Sequence, residues 1–364
     1  DEAYLVGSAP SSESYLNVPK ILEIIQKCKA DAVHPGYGFL SENCDFAEAV
    51  QKTGVVWIGP SMESIAIMGD KMAARKLVLK IGAPVVPGTT KPIISIKDAS
   101  KSANKIGYPI LIKAAGGGGG KGMRILHSEN ELEDAMVRAK AEAEKAFADD
   151  RIYLEKYLEE PHHIEIQVFA DSYGNVVSLG ERECSIQRRY QKIIEETPSP
   201  FIDDKLRKEL SDTAVNITKS CHYLGAGTIE FLVDKHKNFY FLEMNTRLQV
   251  EHPITEMVNG LDLVKEQICV AAGEKLSFTQ KDIQPVGHAI ECRIYAEDGF
   301  NNFAPSTGVI TEMSIPHGLG VRMDEGIRTG QEITPYYDPL LGKLITWGID
   351  RQTALRRMIR ALGE

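Results

Sequence analysis

The chain has 364 residues, of which 43% are hydrophobic and 26% are charged, and its formal net charge is −9. These proportions are typical of a globular protein of two or three domains, and the negative charge argues against a nucleic-acid-binding surface. No apolar run approaches the ~20 residues that a membrane-spanning helix needs. The six cysteines are dispersed without a Cys-x-x-Cys motif, as expected for reduced thiols. We therefore expect a cytoplasmic protein that binds neither nucleic acid nor membrane.

The first 60 residues alternate between predicted strands and helices. Strands are predicted at 3–7, 32–34 and 55–58, and helices at 17–28 and 42–52. This alternation is typical of a doubly wound parallel sheet, whose ligands bind beyond the carboxyl ends of its strands. The 34–43 loop is therefore a candidate binding loop, although a plain turn built by Gly and Pro explains it equally well. Because the chain opens directly on a strand, we expect earlier strands of this sheet to precede residue 1.

A glycine-rich loop follows a helical connector at 61–81 and a strand predicted over 109–115. Six of the seven residues in 116–122 are glycines, and the seventh is Lys121. Glycine N–H groups can approach phosphate without interference from a Cβ atom. The loop is not a Walker A motif, because Ala115 stands where the first Gly is needed and Gly122 where Ser or Thr is needed.

The same loop joins two predicted strands, as a lid over a triphosphate would. An apolar strand follows it at 123–126, and Ser128 with Glu131 predicts a capping box for a helix that ends near Phe147. A G-x-G-x-x-G match within the glycines is weak, because a Rossmann loop needs a helix directly after it. Lys113, at the end of the preceding strand, is placed to reach a phosphate from below. A flexible linker is the alternative interpretation.

A predicted hairpin over 228–234 and 239–251 carries the densest set of polar residues. From Glu243 onward, its odd positions are Glu243, Asn245, Arg247, Gln249 and Glu251. Alternate side chains of an extended chain share one face, and folding the hairpin places Glu230 opposite Glu243. Two carboxylates and an amide oxygen suit Mg²⁺ or Mn²⁺ shared with phosphates. A half-buried strand with a solvated polar face is the alternative.

Two further charged features lie on either side of this hairpin in the sequence. Residues 184–192 are predicted to form a basic loop that ends Gln-Arg-Arg-Tyr-Gln-Lys. In the strand predicted over 288–297, Glu291 and Arg293 share one face. Taken alone, a solvated charge run and a surface ion pair explain these two features as well as a site does.

Four motifs, in this order, resemble those of the biotin carboxylase component of biotin-dependent carboxylases, within the ATP-grasp superfamily. They are His34-Pro-Gly-Tyr-Gly-Phe-Leu-Ser-Glu-Asn, Lys113-Ala-Ala-Gly-Gly-Gly-Gly-Gly-Lys-Gly-Met-Arg, Cys184-Ser-Ile-Gln-Arg-Arg-Tyr-Gln-Lys and Glu243-Met-Asn-Thr-Arg-Leu-Gln-Val-Glu-His-Pro. The resemblance covers essentially the whole chain, and the joint occurrence of the motifs weighs against the simpler alternatives above.

The resemblance implies a fold with α/β and α+β parts. A partial doubly wound, Rossmann-like N-terminal domain is expected over 1–60, and a helical connector over 61–85. The ATP-grasp fold follows, with a small lid subdomain over 86–157 that carries the glycine loop. The main and C-terminal region, 158–364, is expected to end in an antiparallel sheet.

The implied activity is ATP-dependent carboxylation of biotin by bicarbonate through carboxyphosphate, a ligase reaction that gives ADP, phosphate and N-carboxybiotin. Residues implied in nucleotide binding are Lys71, Lys113, Gly118, Gly119, Gly120, Gly122, Glu155, Lys156, Leu158, His163 and Gln187. The implied metal ligands, for Mg²⁺ or Mn²⁺, are Glu230 and Glu243, with Asn245 nearby. The implied bicarbonate-binding groups are Arg247, Gln249 and the Val250 backbone, and Glu251 is the implied general base. The resemblance also implies that Lys192 lies over the reacting phosphate and bicarbonate. Arg293 is implied to face the ureido oxygen of biotin, and Tyr37 to lie at the biotin end of the pocket.

The sequence also departs from the family pattern. Tyr190 stands where several members have a His that contacts nucleotide, and we expect the family's first-strand Asn-Arg-Gly-Glu motif and final segment to lie outside these residues. No Met-Lys-Met biotinylation site is present. Biotin is therefore expected on a separate carrier protein or domain, alongside a carboxyltransferase subunit or domain, with the chain itself in a homodimer. Alternatives are another ATP-grasp ligase and a nucleotide-binding scaffold.

Overall fold

The computed structural model of the chain describes residues 2–115, 123–147 and 149–364. The predicted phosphate contacts Gly118, Gly119, Gly120 and Gly122 lie outside these residues. Among the described helices, none combines the length and the apolar character needed to cross a membrane.

The N-terminal region packs two helices against a small parallel sheet. Its elements are a 3₁₀ turn (Ser11–Glu13), α1 (Val18–Cys28), β1 (Ala32–Val33), α2 (Cys44–Lys52) and β2 (Val56–Trp57). Asn17 starts α1 because its side chain accepts a hydrogen bond from the Lys20 N–H at 3.1 Å. β1 pairs with β2 in parallel, which confirms the predicted strand–helix alternation from α1 onward.

Two short helices, α3 (Met62–Gly69) and α4 (Lys71–Lys80), connect this region to the lid. Asp70 separates them, because its backbone is extended and its side chain accepts hydrogen bonds from the N–H groups of Met72 and Ala73, both at 2.9 Å. Lys71 is therefore held in the first turn of α4.

The lid packs two helices on a three-stranded antiparallel sheet. Its elements are α5 (Ile96–Ile106), β3 (Ile110–Ala114), β4 (Arg124–Leu126), a 3₁₀ turn (Glu129–Glu131), α6 (Leu132–Phe147) and β5 (Ile152–Lys156). The strand order is β4-β3-β5. Ile110, Ile112 and Leu154 are fully buried beneath the helices, so the sheet that leads into the glycine loop is well anchored.

The rest of the chain is built on one large antiparallel sheet. Its strands are β6 (His162–Ala170), β7 (Val176–Arg188), β8 (Gln191–Thr197), β9 (Gly225–Val233), β10 (Phe239–Asn245), β11 (His288–Tyr295), β12 (Glu297–Asp298), β13 (Ala304–Pro305), β14 (Gly308–Val309), β15 (Val321–Glu325), β16 (Glu332–Ile333) and β17 (Leu340–Gly348). Its helices are α7 (Asp204–Ser220), α8 (His252–Asn259), α9 (Leu263–Ala271) and α10 (Arg351–Gly363). The eight strands of the main sheet are ordered β10-β9-β6-β7-β8-β11-β17-β15. β12 pairs with β13, and β14 pairs with β16.

Strand β6 shows why this sheet carries the site. Ile164 and Ile166 are fully buried in a core shared with Leu210 of α7. The alternate residues Glu165 and Gln167 are also 0% exposed. Buried polar groups need partners, so the second face of the sheet is a polar interior rather than a solvated surface.

Two local predictions are wrong. Residues 3–7 form no strand, and Leu5 is 84% exposed, because no neighbouring strand is available to it among the residues described. The 184–192 segment is mostly strand instead of loop, because β7 continues to Arg188 and β8 begins at Gln191. Arg189 and Tyr190 close this hairpin with φ of 53° and 65°, as a two-residue hairpin turn of the I′ type requires.

Candidate active site

The two predicted metal ligands face each other across adjacent strands. Glu230 of β9 and Glu243 of β10 are register partners, which confirms the predicted hairpin. The buried Glu230 accepts a hydrogen bond from Asn245 Nδ2 at 2.8 Å, and His163 Nε2 lies 2.9 Å from its other oxygen. Glu243 lies 2.9 Å from Lys71 Nζ. The first turn of α4 and the polar face of the sheet therefore meet at this pair of carboxylates.

Lys192 is the cation at the centre of the site. From the start of β8, its Nζ donates hydrogen bonds to Glu230 at 2.9 Å, to Glu251 at 2.7 Å and to Glu165. Burial alone would lower the pKa of Lys192, but these three carboxylates hold it well above its ordinary value. The side chain is therefore an ammonium ion that links Glu230 to Glu251.

Glu251 and Arg293 form the other end of the site. Arg293 donates to Glu251 at 3.0 Å and to Glu195, on the neighbouring strand β8, at 2.7 Å. Burial favours the neutral form of Glu251, but Lys192 and Arg293 hold its pKa well below the ordinary range. Burial raises the pKa of Glu195 by more than Arg293 lowers it, and the charge of Glu251 raises it further, to about 7. Glu251 is thus ionised at neutral pH, while Glu195 titrates there.

Glu291 does not form the surface ion pair that was the alternative explanation for this strand. Its side chain is 0% exposed, and neither carboxylate oxygen has a hydrogen-bond partner among the described residues. Burial raises its pKa well above the ordinary value, and the neighbouring Glu195 raises it further. Burial therefore favours the neutral form of Glu291, and Arg293 contacts Glu195 and Glu251 instead.

The odd-numbered residues after Asn245 converge on the site without continuing the strand. β10 ends at Asn245, and the chain then bends, so the prediction of one extended face is wrong beyond that residue. Arg247 nevertheless donates to Asn245 Oδ1 at 3.1 Å, and Gln249 donates to Glu230 at 3.0 Å. The Val250 carbonyl accepts a hydrogen bond from the buried Lys343 at 2.9 Å. Turn geometry, and not strand alternation, brings these groups together.

A buried arginine that the sequence analysis missed supports this arrangement. The Arg182 side chain is 0% exposed. Its N–H groups donate to side chains of Glu165, Gln167 at 2.7 Å, Thr255 at 3.0 Å, Thr228 at 3.1 Å and Gln249 at 2.6 Å. All five donors of the guanidinium are thus used. Arg182 therefore fixes the positions of Gln249 and of Glu165, one of the three carboxylates that accept a hydrogen bond from Lys192.

The lid-side cations form a separate buried cluster. Lys113 lies 2.7 Å from Glu155, and Arg75 donates to the same carboxylate at 2.8 Å. In the described part of the chain, Lys113 therefore pairs with Glu155 and not with the carboxylates of the hairpin. Burial lowers the pKa of Lys71, but the negative charges of Glu243 and, after it, Glu155 raise that pKa by more. Lys71 is thus the cation between the two clusters.

Of the remaining predicted nucleotide residues, Lys156 and Leu158 lie where the chain leaves the lid, and Gln187 lies on β7 of the main sheet. Lys156, the last residue of β5, donates to the backbone carbonyls of residues 107–108 at 3.0 and 2.9 Å. Leu158, just beyond it, is half-buried. Gln187, near the end of β7, donates to the Cys184 carbonyl at 2.9 Å. The three residues therefore differ in their surroundings, and the Lys156 ammonium group is already hydrogen-bonded to backbone carbonyls of the lid.

Tyr37 lies at the opposite end, on a cavity of about 480 Å³. The side chain is 42% exposed and shares the cavity with Asp324 and Lys343. Burial raises the pKa of Tyr37, and the nearby Glu291 raises it further. Lys343, which also donates to the Val250 carbonyl, therefore joins this cavity to the Val250 segment.

Several residues that shape the site carry only a weak sequence signal. Glu165 was visible as a charged residue in an alternating strand, and Arg182 lies in a Glu-Arg-Glu run. Neither pattern differs from that of a solvated strand. Glu195 and Lys343 reach the site from different strands, so only the tertiary structure could assign them to it.

The donor set fits a divalent cation with hard-oxygen ligands. The carboxylates of Glu230 and Glu243 are on facing strands. Asn245 contacts Glu230 through its amide nitrogen, while its amide oxygen accepts a hydrogen bond from Arg247. Ligand atoms of His163, Glu165 and Glu230 lie within 4.8 Å of one another. Carboxylate-rich sites that share phosphates are typical of Mg²⁺.

His252, next to Glu251, is buried as a neutral imidazole. Its Nδ1 lies 2.7 Å from the Gln249 carbonyl oxygen. Burial, helped by Lys343, lowers its pKa from 6.5 to about 3. Between pH 6.5 and about 3, His252 is protonated in the unfolded chain but neutral in the folded chain. His252 therefore contributes stability above pH 6.5 that is lost as the pH falls towards 3.

We expect His252→Asn to flatten the acid side of the stability profile. Between pH 6.5 and about 5, the wild type should lose about 1.5 kcal/mol more of its free energy of unfolding than this variant does. Urea unfolding at the two pH values measures the difference. The exposed His236→Asn variant should keep the wild-type dependence. Equal losses for His252→Asn and the wild type would show that His252 is not the group responsible.

Comparison with known proteins assigns all three regions of the chain. Family models match for "Biotin carboxylase, N-terminal domain" at residues 1–65, "Carbamoyl-phosphate synthase L chain, ATP binding domain" at 70–279, and "Biotin carboxylase C-terminal domain" at 291–364. A pyruvate carboxylase subunit of Methanothermobacter thermautotrophicus is 53% identical over the whole chain and 74% of its own length. Biotin carboxylase of Haemophilus influenzae is 52% identical over the whole chain and 81% of its own length.

A solved structure agrees with these matches. The biotin carboxylase domain dimer of Hydrogenobacter thermophilus 2-oxoglutarate carboxylase, determined with MgADP, ADP and bicarbonate, superposes with a TM-score of 0.94 at 47% identity. The match covers 96% of this chain and 78% of that one. The predicted fold class and the resemblance found in the sequence are thereby confirmed. The chain belongs to the biotin carboxylase family.

Proposed function

We propose that this chain catalyses the ATP-dependent carboxylation of biotin by bicarbonate, with release of ADP and phosphate and formation of N-carboxybiotin. One observation carries the proposal: two runs of charged contacts meet on one polar face, where Glu243 and Glu230 are register partners. Lys71 and Glu243 lie at the nucleotide end, Lys192 and Glu251 in the middle, and Arg293 at the far end. Cations for phosphate, a base for bicarbonate and a cation for an oxyanion therefore share one surface.

Glu230 and Glu243 would hold Mg²⁺ or Mn²⁺, with Asn245 beside them. Their facing carboxylates provide the hard-oxygen ligands that these ions prefer. When bound, such an ion neutralises charge on the triphosphate oxygens. The magnesium salt of ADP in the H. thermophilus relative supports this part of the proposal.

Bicarbonate would bind to Arg247, Gln249 and the Val250 backbone, and Glu251 would remove its proton. The resulting dianion attacks the γ-phosphorus, the bond to ADP breaks, and carboxyphosphate forms. Glu251 binds protons weakly while Lys192 and Arg293 face it. Anions that draw those two cations away raise its pKa towards that of an effective base.

The phosphates would be held by cations placed on three elements. Lys71 is in the first turn of α4, Lys113 is next to last in β3, and Lys192 is the second residue of β8. They would neutralise charge spread over the transferring phosphoryl group. Gly118, Gly119, Gly120 and Gly122 are proposed to bind the same phosphates through their backbone N–H groups.

The base and ribose of ATP would lie where the lid joins the main sheet. We assign Glu155, Lys156 and Leu158 to the adenine pocket, because β5 ends there. His163, which lies 2.9 Å from Glu230, and Gln187 are assigned to the rest of the nucleotide. These residues connect the lid cluster to the metal end of the site.

Biotin carboxylation would complete the reaction at the Arg293 end. Carboxyphosphate splits into CO₂ and phosphate, and the phosphate takes the proton from N1′ of biotin. N1′ then forms its bond to the CO₂ carbon. Arg293 stabilises the negative charge on the ureido oxygen, and Tyr37 would contact the biotin end of the pocket.

An ATP cleavage assay on the full chain tests this function against its closest alternative. Bicarbonate should be required for ADP release, and free biotin should increase the rate. The family model at 70–279 also describes a carbamoyl-phosphate synthase domain, so a different ATP-grasp ligase is the second candidate. A bicarbonate-dependent rate of ATP cleavage that biotin does not change would favour that ligase. ATP binding without turnover would favour a nucleotide-binding scaffold.

The proposed partners follow from the same reaction. Biotin would arrive on a separate carrier protein or domain, and a carboxyltransferase subunit or domain would consume the carboxybiotin. A homodimer is supported by the dimer in the H. thermophilus relative. A cytoplasmic location is proposed from the dispersed cysteines. The acyl acceptor is a property of the carboxyltransferase, and pyruvate and 2-oxoglutarate systems both have similar chains.

A further inference from the structure

Glu42 reaches the bicarbonate-binding segment from the N-terminal region, and the proposed mechanism gives it no role. One carboxylate oxygen accepts hydrogen bonds from the Thr246 N–H at 2.9 Å and the Thr246 hydroxyl at 3.2 Å. The other accepts one from Arg247 Nε at 2.9 Å. A single carboxylate therefore holds both the turn that follows β10 and the guanidinium that this turn presents.

Arg247 is held on three sides. Besides the contact from Nε to Glu42, Nη1 donates to the Leu248 carbonyl at 3.3 Å and Nη2 donates to Asn245 Oδ1 at 3.1 Å. Described residues thus use three of its five N–H groups, and two are left for a ligand. An arginine side chain has several rotatable bonds, so the contact at Nε decides where those two groups point.

The loop that carries Glu42 is itself anchored at both ends. His34 accepts a hydrogen bond from the Gly36 N–H at 2.9 Å, and its other ring nitrogen lies 3.1 Å from Gln267 Oε1 on α9. Asn43 starts α2 by accepting a hydrogen bond from the Phe46 N–H at 2.8 Å. Glu42 is therefore presented from a fixed frame, as preorganisation of a binding group requires.

A simple ion pair between two regions does not explain these contacts. The Glu42 side chain is 39% exposed, and exposed pairs contribute little to stability. An ion pair alone would also not need the two contacts to Thr246. Orientation of Arg247 accounts for the backbone and the guanidinium contacts together.

We propose that Glu42 is a positioning residue that orients Arg247 towards bicarbonate. This inference rests on the proposed function, in which Arg247 binds that anion. It makes the N-terminal region part of the bicarbonate site, with Glu42 acting through Arg247.

The test is Glu42→Gln in the full chain, assayed by bicarbonate-dependent ADP release. Glutamine keeps the size and one acceptor for Thr246, but it removes the charge that holds Arg247 Nε. The KM for bicarbonate should rise about tenfold. The kcat at saturating bicarbonate and the KM for ATP should stay within about twofold of the wild type, because neither the metal ligands nor the base is changed.

Glu48→Gln is the matched control. Glu48 lies in the same region on α2 and pairs with Lys52 at 2.8 Å, so this variant loses the same charge and one surface ion pair. Its bicarbonate KM should equal that of the wild type, and all three proteins should melt at similar temperatures. In an Arg247→Lys background, Glu42→Gln should add no further increase in KM.

Three outcomes separate the possibilities. An unchanged bicarbonate KM in Glu42→Gln, with an active wild type, overturns the inference. A lower melting temperature with unchanged KM also overturns it and assigns Glu42 to stability alone. A wild type without bicarbonate-dependent ADP release refutes the proposed function instead, and that result is obtained before any variant is compared.

Discussion

Glu251→Gln is expected to lower bicarbonate-dependent ATP cleavage by at least about 100-fold. The change keeps the shape of the side chain but removes the only group proposed to accept the bicarbonate proton. Folding should survive, because Lys192 keeps Glu165 and Glu230 and Arg293 keeps Glu195. Initial rates of ADP release at saturating bicarbonate measure the effect.

Nucleotide binding separates loss of the base from loss of the site. Calorimetry should give nearly the same ATP affinity for Glu251→Gln and the wild type, since Glu251 is not among the proposed nucleotide or metal contacts. The exposed Glu274→Gln variant is the matched control and should cleave ATP at the wild-type rate. Cleavage retained in Glu251→Gln would mean that another residue takes the proton.

Arg293→Ala is expected to slow biotin carboxylation by about 10²–10³-fold, the usual cost of removing one stabiliser of a developing oxyanion. ATP affinity should be unchanged. Bicarbonate-dependent ATP cleavage without biotin should fall less, because Lys192 still holds Glu251 at 2.7 Å. The comparison is between carboxybiotin formed and ADP released, measured in the same reaction.

The loss of Arg293 also changes its carboxylate neighbours. Arg293 is one of the two main cations that depress the pKa of Glu251, and it also opposes the effect of burial at Glu195. Its removal should raise the pKa of both groups. Arg293→Lys restores a charge without the second donor nitrogen, so its activity should lie between those of the wild type and Arg293→Ala. Carboxylation at the wild-type rate in Arg293→Ala would remove this residue from the mechanism.

The sequence predicted the part of the site that depends on local geometry. Facing carboxylates at Glu230 and Glu243 follow from two alternating strands and a polar turn between them, since strand register fixes which side chains meet. The strand–helix alternation of the first 60 residues was readable for the same reason. The prediction failed after Asn245, where a bend replaces the strand and alternation no longer determines direction.

The supporting residues were out of reach because they come from distant parts of the chain. Arg182 reaches Gln249 from strand β7, Lys343 reaches Val250 from β17, and Glu42 lies more than 200 positions from Arg247. In the sequence each is one charged residue among many. Their significance depends on burial and on partners, which are properties of the tertiary structure.

The main sheet crosses the boundary between the two larger family matches. The match to the ATP-binding domain ends at 279 and the C-terminal match begins at 291, yet β8 and β11 are neighbouring strands of one sheet. A polypeptide cut between them would expose an unpaired strand edge and separate Glu195 from Arg293. Exposed edges recruit other strands, so neither fragment would behave as an autonomous module. Recombination of these two segments between relatives must therefore preserve a shared strand interface as well as catalytic residues.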